Sequence, residues 1–246
     1  MTPQGQSLGE IWVYLSASPL LGLTLTLLAY QGAVWIHHRC GGHPAANPVL
    51  IAVAALVALL WVTDTPYGTY FDGAQFVHFL LGPATVALAI PLHAQFDRLR
   101  RMAGPLLVAL AAGSLTAALS AVLVGKLLGA SDATLFSLAP KSVTTPIAMG
   151  VAERLGGLPS LTAVLVILTG ILGAVGAQGL FALMKCRDAA VQGFAMGIAS
   201  HGIGTARAFQ IGEQAGAFAA LAMGLNGLLT ATALPALMPP LMRWLG

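Results

Sequence analysis

Charge is what this sequence has least of. Only 8% of its 246 residues are Asp, Glu, Lys or Arg, while 57% are hydrophobic; a soluble domain carries roughly 25% charged residues. A water-soluble globular fold is therefore excluded, and an all-α polytopic membrane protein is expected. The net charge of +3 is too small and too dispersed to attract nucleic acid. Cysteine is equally scarce: Cys40 and Cys186 stand alone without CxxC spacing, which excludes a disulfide framework. No run of like charge and no Ser/Gly linker divides the chain, so residues 1–246 read as one integral domain. Walker-type, GxSxG and HExxH motifs are missing too, so neither direct ATP use nor hydrolase chemistry is expected, and no cofactor. The N-terminus lacks the basic region of a cleaved signal peptide, so the first apolar segment should be retained.

The chain has room for about seven to eight crossings at roughly 20–25 residues each. Apolar segments run over Leu8–Ile36, Pro48–Val62, Ala74–Phe96, Gly104–Leu128, Leu158–Met184, Val191–Ile211 and Ala217–Met242. Trp12, Tyr14, Trp35, Trp61, Tyr67, Tyr70 and Trp244 fall near their ends, as interfacial anchors do. Basic residues gather at His37–His43, Arg98–Arg101, Lys185–Arg187 and Arg243, with Glu10, Asp64 and Asp72 in the intervening loops. The positive-inside rule is met with the N-terminus outside and the C-terminus inside, provided that 132–157 dips into the membrane and returns. The triplets 48–128 and 158–242 would then be inverted halves, each with an interrupted middle member, at Gly82-Pro83 and at Ser200–Gly204. A competing internal match aligns Ala199–Gly216 with Ala139–Gly156, pairing Thr145 with Thr205 and Glu153 with Glu213.

Two stretches carry polarity that hydrocarbon resists. Ser137–Pro146 holds Lys141, the hydroxyls of Ser137, Ser142, Thr144 and Thr145, and two prolines; Ala199–Arg207 holds Ser200, His201, Thr205 and Arg207. A charge at the bilayer centre costs about 2.5–3.5 kcal/mol on the mildest scale, so such residues face protein or water. Pro140 and Pro146 break helix, and the second half-helix then offers free N–H groups and the positive end of its dipole to an anion. Lys141 adds a charge, with snorkelling to an interface as the competing reading. Arg207 suits either a bidentate clamp on a carboxylate or a permanent pair with Glu213 or Glu153. His201 could relay a proton together with Glu213, or simply pack. Gly202 and Gly204 permit unwound backbone. Pro83 and Thr85 could supply carbonyls and close packing, Asn226 could bond substrate or helix, and His78 and Gln75 could line an entrance. His37, His38, Cys40 and His43 lack a second matching pair, so no metal site is expected.

Three of these stretches, Leu81–Leu92 (LGPATVALAIPL), Lys141–Met149 (KSVTTPIAM) and Ser200–Arg207 (SHGIGTAR), resemble the LrgB family of bacterial membrane proteins. The family is also similar to the C-terminal half of the plastid glycolate/glycerate translocator. The resemblance implies one of two roles in the bacterial cytoplasmic membrane. One is movement of small carboxylates such as glycolate, glycerate or pyruvate. The other is regulation of murein hydrolase export and autolysis, holin- or antiholin-like, with an LrgA-type membrane partner. Buried cations beside broken helix favour the first. The expectation is thus a proton-linked secondary transporter of small monocarboxylates. Its substrate would be bound by Lys141, Ser142, Thr144, Thr145, Ser200, His201, Gly202, Gly204, Thr205, Arg207, Pro83, Thr85 and Asn226, with His201 and Glu213 coupling protons. The abundant Gly and Ala permit tight contacts within one chain or between copies.

Overall fold

The computed structural model describes residues 19–43 and 45–245, with the side chains of Pro19, His78, Leu81 and Thr85 undescribed. The start of the first apolar segment, Glu10, Trp12, Tyr14 and the orientation of the N-terminus lie outside the described residues. The described residues form helices and turns without a strand. Among the described residues five helical stretches are long and apolar enough to cross a bilayer: Leu20–Arg39, Tyr67–Ala94, Ala103–Leu127, Pro159–Leu183 and Glu213–Leu245. Two compact units divide the chain between Ala87 and Leu88.

The first unit contains α1 (Pro19–Arg39), α2 (Pro48–Val62), α3 (Tyr67–Phe79) and α4 (Leu81–Ala87). Asn47 starts α2: its side chain accepts from the Val49 and Leu50 amides at 2.9 and 3.2 Å, and Pro48 occupies the first turn, where no N–H is needed. The buried His37 ring bonds the Ala46 carbonyl at 2.9 Å and closes the loop between α1 and α2. Thr26 and Tyr70 share a 2.7 Å hydroxyl contact that fixes α1 against α3. Among the described residues no three His, Cys, Asp or Glu side chains come together as metal ligands.

The second unit contains α5 (Ala89–Ala94), α6 (Phe96–Arg101), α7 (Ala103–Leu127), α8 (Asp132–Leu138), α9 (Thr145–Leu155), α10 (Pro159–Leu183), α11 (Ala189–Ile211) and α12 (Glu213–Leu245). Long α7 and α12 run side by side in the same direction. Leu106 and Leu110 near the start of α7 pack with Phe218 and Ala222, and Val122 near its end packs with Leu234 and Met238. Between α7 and α10 the chain reverses through α8 and α9. Ser131 caps α8 and turn 139–144 reverses it. The Ser137 hydroxyl then accepts from the Leu158 amide at 2.7 Å, which ties the first arm to the start of α10.

The expected crossing over Val191–Ile211 is corrected, because α11 doubles back on itself. His201 takes φ 41°, ψ −133°, a reversal and not a bend in a continuous helix. On α10, Ser200 and His201 sit against Gly173 and Gly170, whereas both Met196 on the outgoing arm and Ala208 on the returning arm cluster with Phe181 nearer the end of α10. Ile211 thereby packs on the same cluster as Cys186 and Ala189, where the helix began. The arms are about 15–18 Å long at 1.5 Å per residue, half a hydrocarbon core. Close seating on α12 depends on glycine: a Cβ on Gly193 or Gly197 would collide with the Ala215 or Ala219 carbonyl. Small residues at such seams let membrane helices approach closely, where no hydrophobic force drives them together.

The base of this hairpin is pinned to α6. Asp188 caps α11, accepting from the Ala190 and Val191 amides at 2.8 and 3.2 Å, and pairs with Arg98 at 2.8 Å. The ends of α6 and α10 therefore share one face of the unit, with Arg98, Arg100, Arg101, Lys185 and Arg187. The Val191 amide is the chief cause that holds the Asp188 carboxyl below its ordinary range; burial opposes it as the next largest effect, and the Ala190 amide and the Arg98 guanidinium add to the lowering. Met242 and Leu245 pack around Val122 and Val151 at the opposite face.

Two outcomes follow from this geometry. In a Cys40→Ser, Cys186→Ser background, Arg101→Cys and Arg243→Cys should react with an impermeant maleimide from opposite sides of sealed vesicles. The Asp188 contribution to thermal stability, read as wild type against Asp188→Ala, should be full above the unfolded carboxylate value of about 3.9. It should fade as the pH falls through the lower folded value, because protonation removes the cap and the ion pair.

Candidate functional site

Turn 139–144 and the tip of the α11 hairpin meet inside the second unit, and Asn226 joins them. Asn226 is 1% exposed, in the apolar length of α12. Its Oδ1 accepts from the Ser114 hydroxyl of α7 at 2.7 Å. Its Nδ2 donates to the Ile198 carbonyl of α11 at 3.0 Å and to the Ser142 carbonyl of the turn at 3.4 Å. One amide thus ties α7, α12 and both reversals. The sequence leaves Asn226 between substrate and helix; the structure places it on helix and turn. Beside it a cavity of about 180 Å³ is lined by Ser114, Ser142, Asn226 and Thr230 among alanine and leucine side chains.

The two tips also touch through α10. His201, 4% exposed, bonds the Val166 carbonyl through Nε2 at 2.9 Å, and Val143 of the turn packs on Val166. Gly170 leaves the space the imidazole fills, since a Cβ there would come within 2.8 Å of two ring atoms. The Thr205 hydroxyl donates to the His201 carbonyl at 2.8 Å, bridging the break from the returning arm. The internal match between 139–156 and 199–216 sets Lys141 opposite His201, and both occupy the tips.

The remaining expected residues scatter along these elements. Ser142 is buried, and its hydroxyl faces the half-buried Lys141 ammonium at 3.4 Å. Thr144 takes the extended conformation that precedes α9 and makes no side-chain cap bond; Thr145 opens that helix. Ser200 is buried against Gly173, Gly202 lies partly buried beside the break, and Gly204 lets the returning arm pass Met196. Arg207 points away from the tips: its guanidinium donates to the Gln210 and Gln178 side chains. Neither ion pair found among the described residues includes it, so the expected partnership with Glu213 or Glu153 is not made. Glu213 is exposed at the base of the hairpin, at the far end of the returning arm from His201. Pro83 is exposed and lies with Thr85 on α4 in the first unit.

Sequence reasoning passed over Ser114, Gln178 and Gln210. Gln178 and Gln210 are the last polar side chains before the ends of α10 and α11, and Ser114 lies in α7 with Thr116 and Ser120, so no local pattern singles them out.

With this geometry stands a likeness that covers most of the chain: a family model described as the LrgB-like family matches residues 26–239. The chain belongs to the LrgB-like family. It is 37% identical over 219 residues to the uncharacterized protein YwbG of Bacillus subtilis (strain 168), covering 89% of this chain and 97% of that protein. It is 30% identical over 223 residues to the Antiholin-like protein LrgB of Bacillus cereus (strain B4264), covering 90% of this chain and 96% of that protein; the match to the protein of that name in Bacillus anthracis (strain CDC 684 / NRRL 3495) has the same extent. No solved structure matches.

These relatives overturn the expectation of a monocarboxylate carrier, since those LrgB proteins that match nearly end to end are named antiholin-like. A carrier would reserve such polar residues for its substrate. In this LrgB-like chain Asn226 and Thr205 instead satisfy backbone carbonyls at two chain reversals, His201 is bonded to the Val166 carbonyl of α10, and Arg207 is held by glutamines.

Asn226→Leu should lower stability by about 2–3 kcal/mol, from three hydrogen bonds at roughly 0.6–1 kcal/mol each. Thermal unfolding in detergent measures this, and Asn226→Gln should recover only part of the loss because its amide sits one methylene further out.

Proposed function

We propose that this chain is an antiholin-like protein of the bacterial cytoplasmic membrane that restrains murein hydrolase export and autolysis, acting with an LrgA-type membrane partner. The observation that carries this reading is the likeness to the Antiholin-like protein LrgB over 96% of that protein's length. The packing is compatible with a restraining role: the two reversals fill the interior of the second unit and are latched by Asn226 and His201. The basic face at Arg98–Arg101 and Lys185–Arg187 is taken as cytoplasmic by the positive-inside rule. That choice puts Leu245 on the outer side, the reverse of the orientation expected from sequence, because α11 returns to its starting face and leaves α12 to make one further crossing.

Expression of this chain with an LrgA-type protein, in a bacterium deleted for its own pair, tests the proposal. Restored resistance to detergent-induced lysis and lower murein hydrolase activity in the medium are expected, together with co-purification of the two chains. Lysis and secreted hydrolase activity that stay at the level of the deletion strain would overturn it.

A further inference from the structure

Arg207 carries a permanent positive charge, is 9% exposed, and sits on the returning arm of α11. Its terminal nitrogens donate to two neutral amide oxygens, on Gln210 and Gln178, and its buried Nε has no hydrogen-bond partner. An anionic oxygen adds Coulomb attraction and accepts the guanidinium N–H groups bidentately, which neutral amide oxygens on two separate side chains do not, so this position favours an anion.

Depth and surroundings select the kind of anion. At 1.5 Å per residue, Arg207 is about 6 Å from the arm's end at Ile211, and Gln178 about 8 Å from the end of α10 at Leu183. The guanidinium therefore stands within one and a half turns of the basic face, at the level that lipid headgroups reach, and away from the midplane. Arg98, Arg100, Arg101, Lys185 and Arg187 gather on that face and attract anionic lipid. Gln178 and Gln210 are both exposed, so each can swing aside and surrender its place to a phosphate oxygen, giving the bidentate arrangement that arginine makes with phosphate.

We propose that Arg207, flanked by Gln178 and Gln210, binds the phosphate of an anionic phospholipid at the basic face of the second unit. The glutamine oxygens hold the guanidinium when no lipid is seated and yield to the phosphate when one arrives.

The full chain in detergent micelles is titrated with phosphatidylglycerol, phosphatidylcholine or glycerol 3-phosphate, with bound lipid counted by native mass spectrometry. Wild type should prefer phosphatidylglycerol, and Arg207→Gln should bind it about tenfold more weakly, as loss of one charge-assisted contact implies. The Gln178→Ala, Gln210→Ala double variant should bind it at least as tightly as wild type, since the competing acceptors are gone. Equal binding of the two lipids by wild type, or undiminished phosphatidylglycerol binding by folded Arg207→Gln, would overturn the proposal. So would displacement of the lipid by equimolar glycerol 3-phosphate, which would point to a soluble anion. A change in oligomeric mass with no change in lipid count would point to a protein carboxylate and overturn it equally. If Arg207→Gln does not fold, the double variant decides: retained or tighter binding supports the assignment and lost binding removes it.

Discussion

The second unit depends on the bonding of one buried amide. Asn226 meets Ser114, Ile198 and Ser142 at the level where two chain reversals come together, and nothing apolar could replace that set. A reversal inside hydrocarbon leaves carbonyls and amides outside any helical ladder, and each costs several kcal/mol if unanswered. Asn226, Thr205 and Ser137 answer them from three different positions, and His201 anchors one reversal to the Val166 carbonyl of α10. The polar residues of this protein are thus concentrated where backbone geometry needs them.

Glycine makes the same arrangement sterically possible. His201 can hold its reversed conformation because Gly170 and Gly173 give up side-chain space on α10, and the hairpin can lie on α12 because Gly193 and Gly197 do so on α11. Both turns of chain are closed by side-chain bonds and close packing together, and either alone would leave the reversal unsupported. A packed interior of this kind behaves as a two-position element more readily than a deformable one, which suits a protein proposed to restrain a partner.

The helical class, the span limits near 103–127 and 159–183, and the helix breaks around Lys141 and His201 were legible in the sequence. Low charge, long apolar runs and helix breakers report these directly. The mechanism was not legible, because a buried arginine and histidine look the same in sequence whether they hold a substrate or a backbone carbonyl. Ser114 and Gln178 were passed over for a related reason: a single hydroxyl or amide in an apolar helix gains meaning only from what lies across from it.

By itself the sequence determined that this chain lives in a bilayer, that its helices break around Lys141 and His201, and which family it belongs to. Those properties follow from composition and short-range pattern, since hydrocarbon tolerates only internally bonded, apolar backbone. Tertiary structure alone decided that Val191–Ile211 turns back at His201 instead of crossing, and so which face receives the end of α12. That outcome rests on contacts between residues far apart in the chain, His201 with Val166 and Asn226 with Ile198 and Ser142, which no local pattern records.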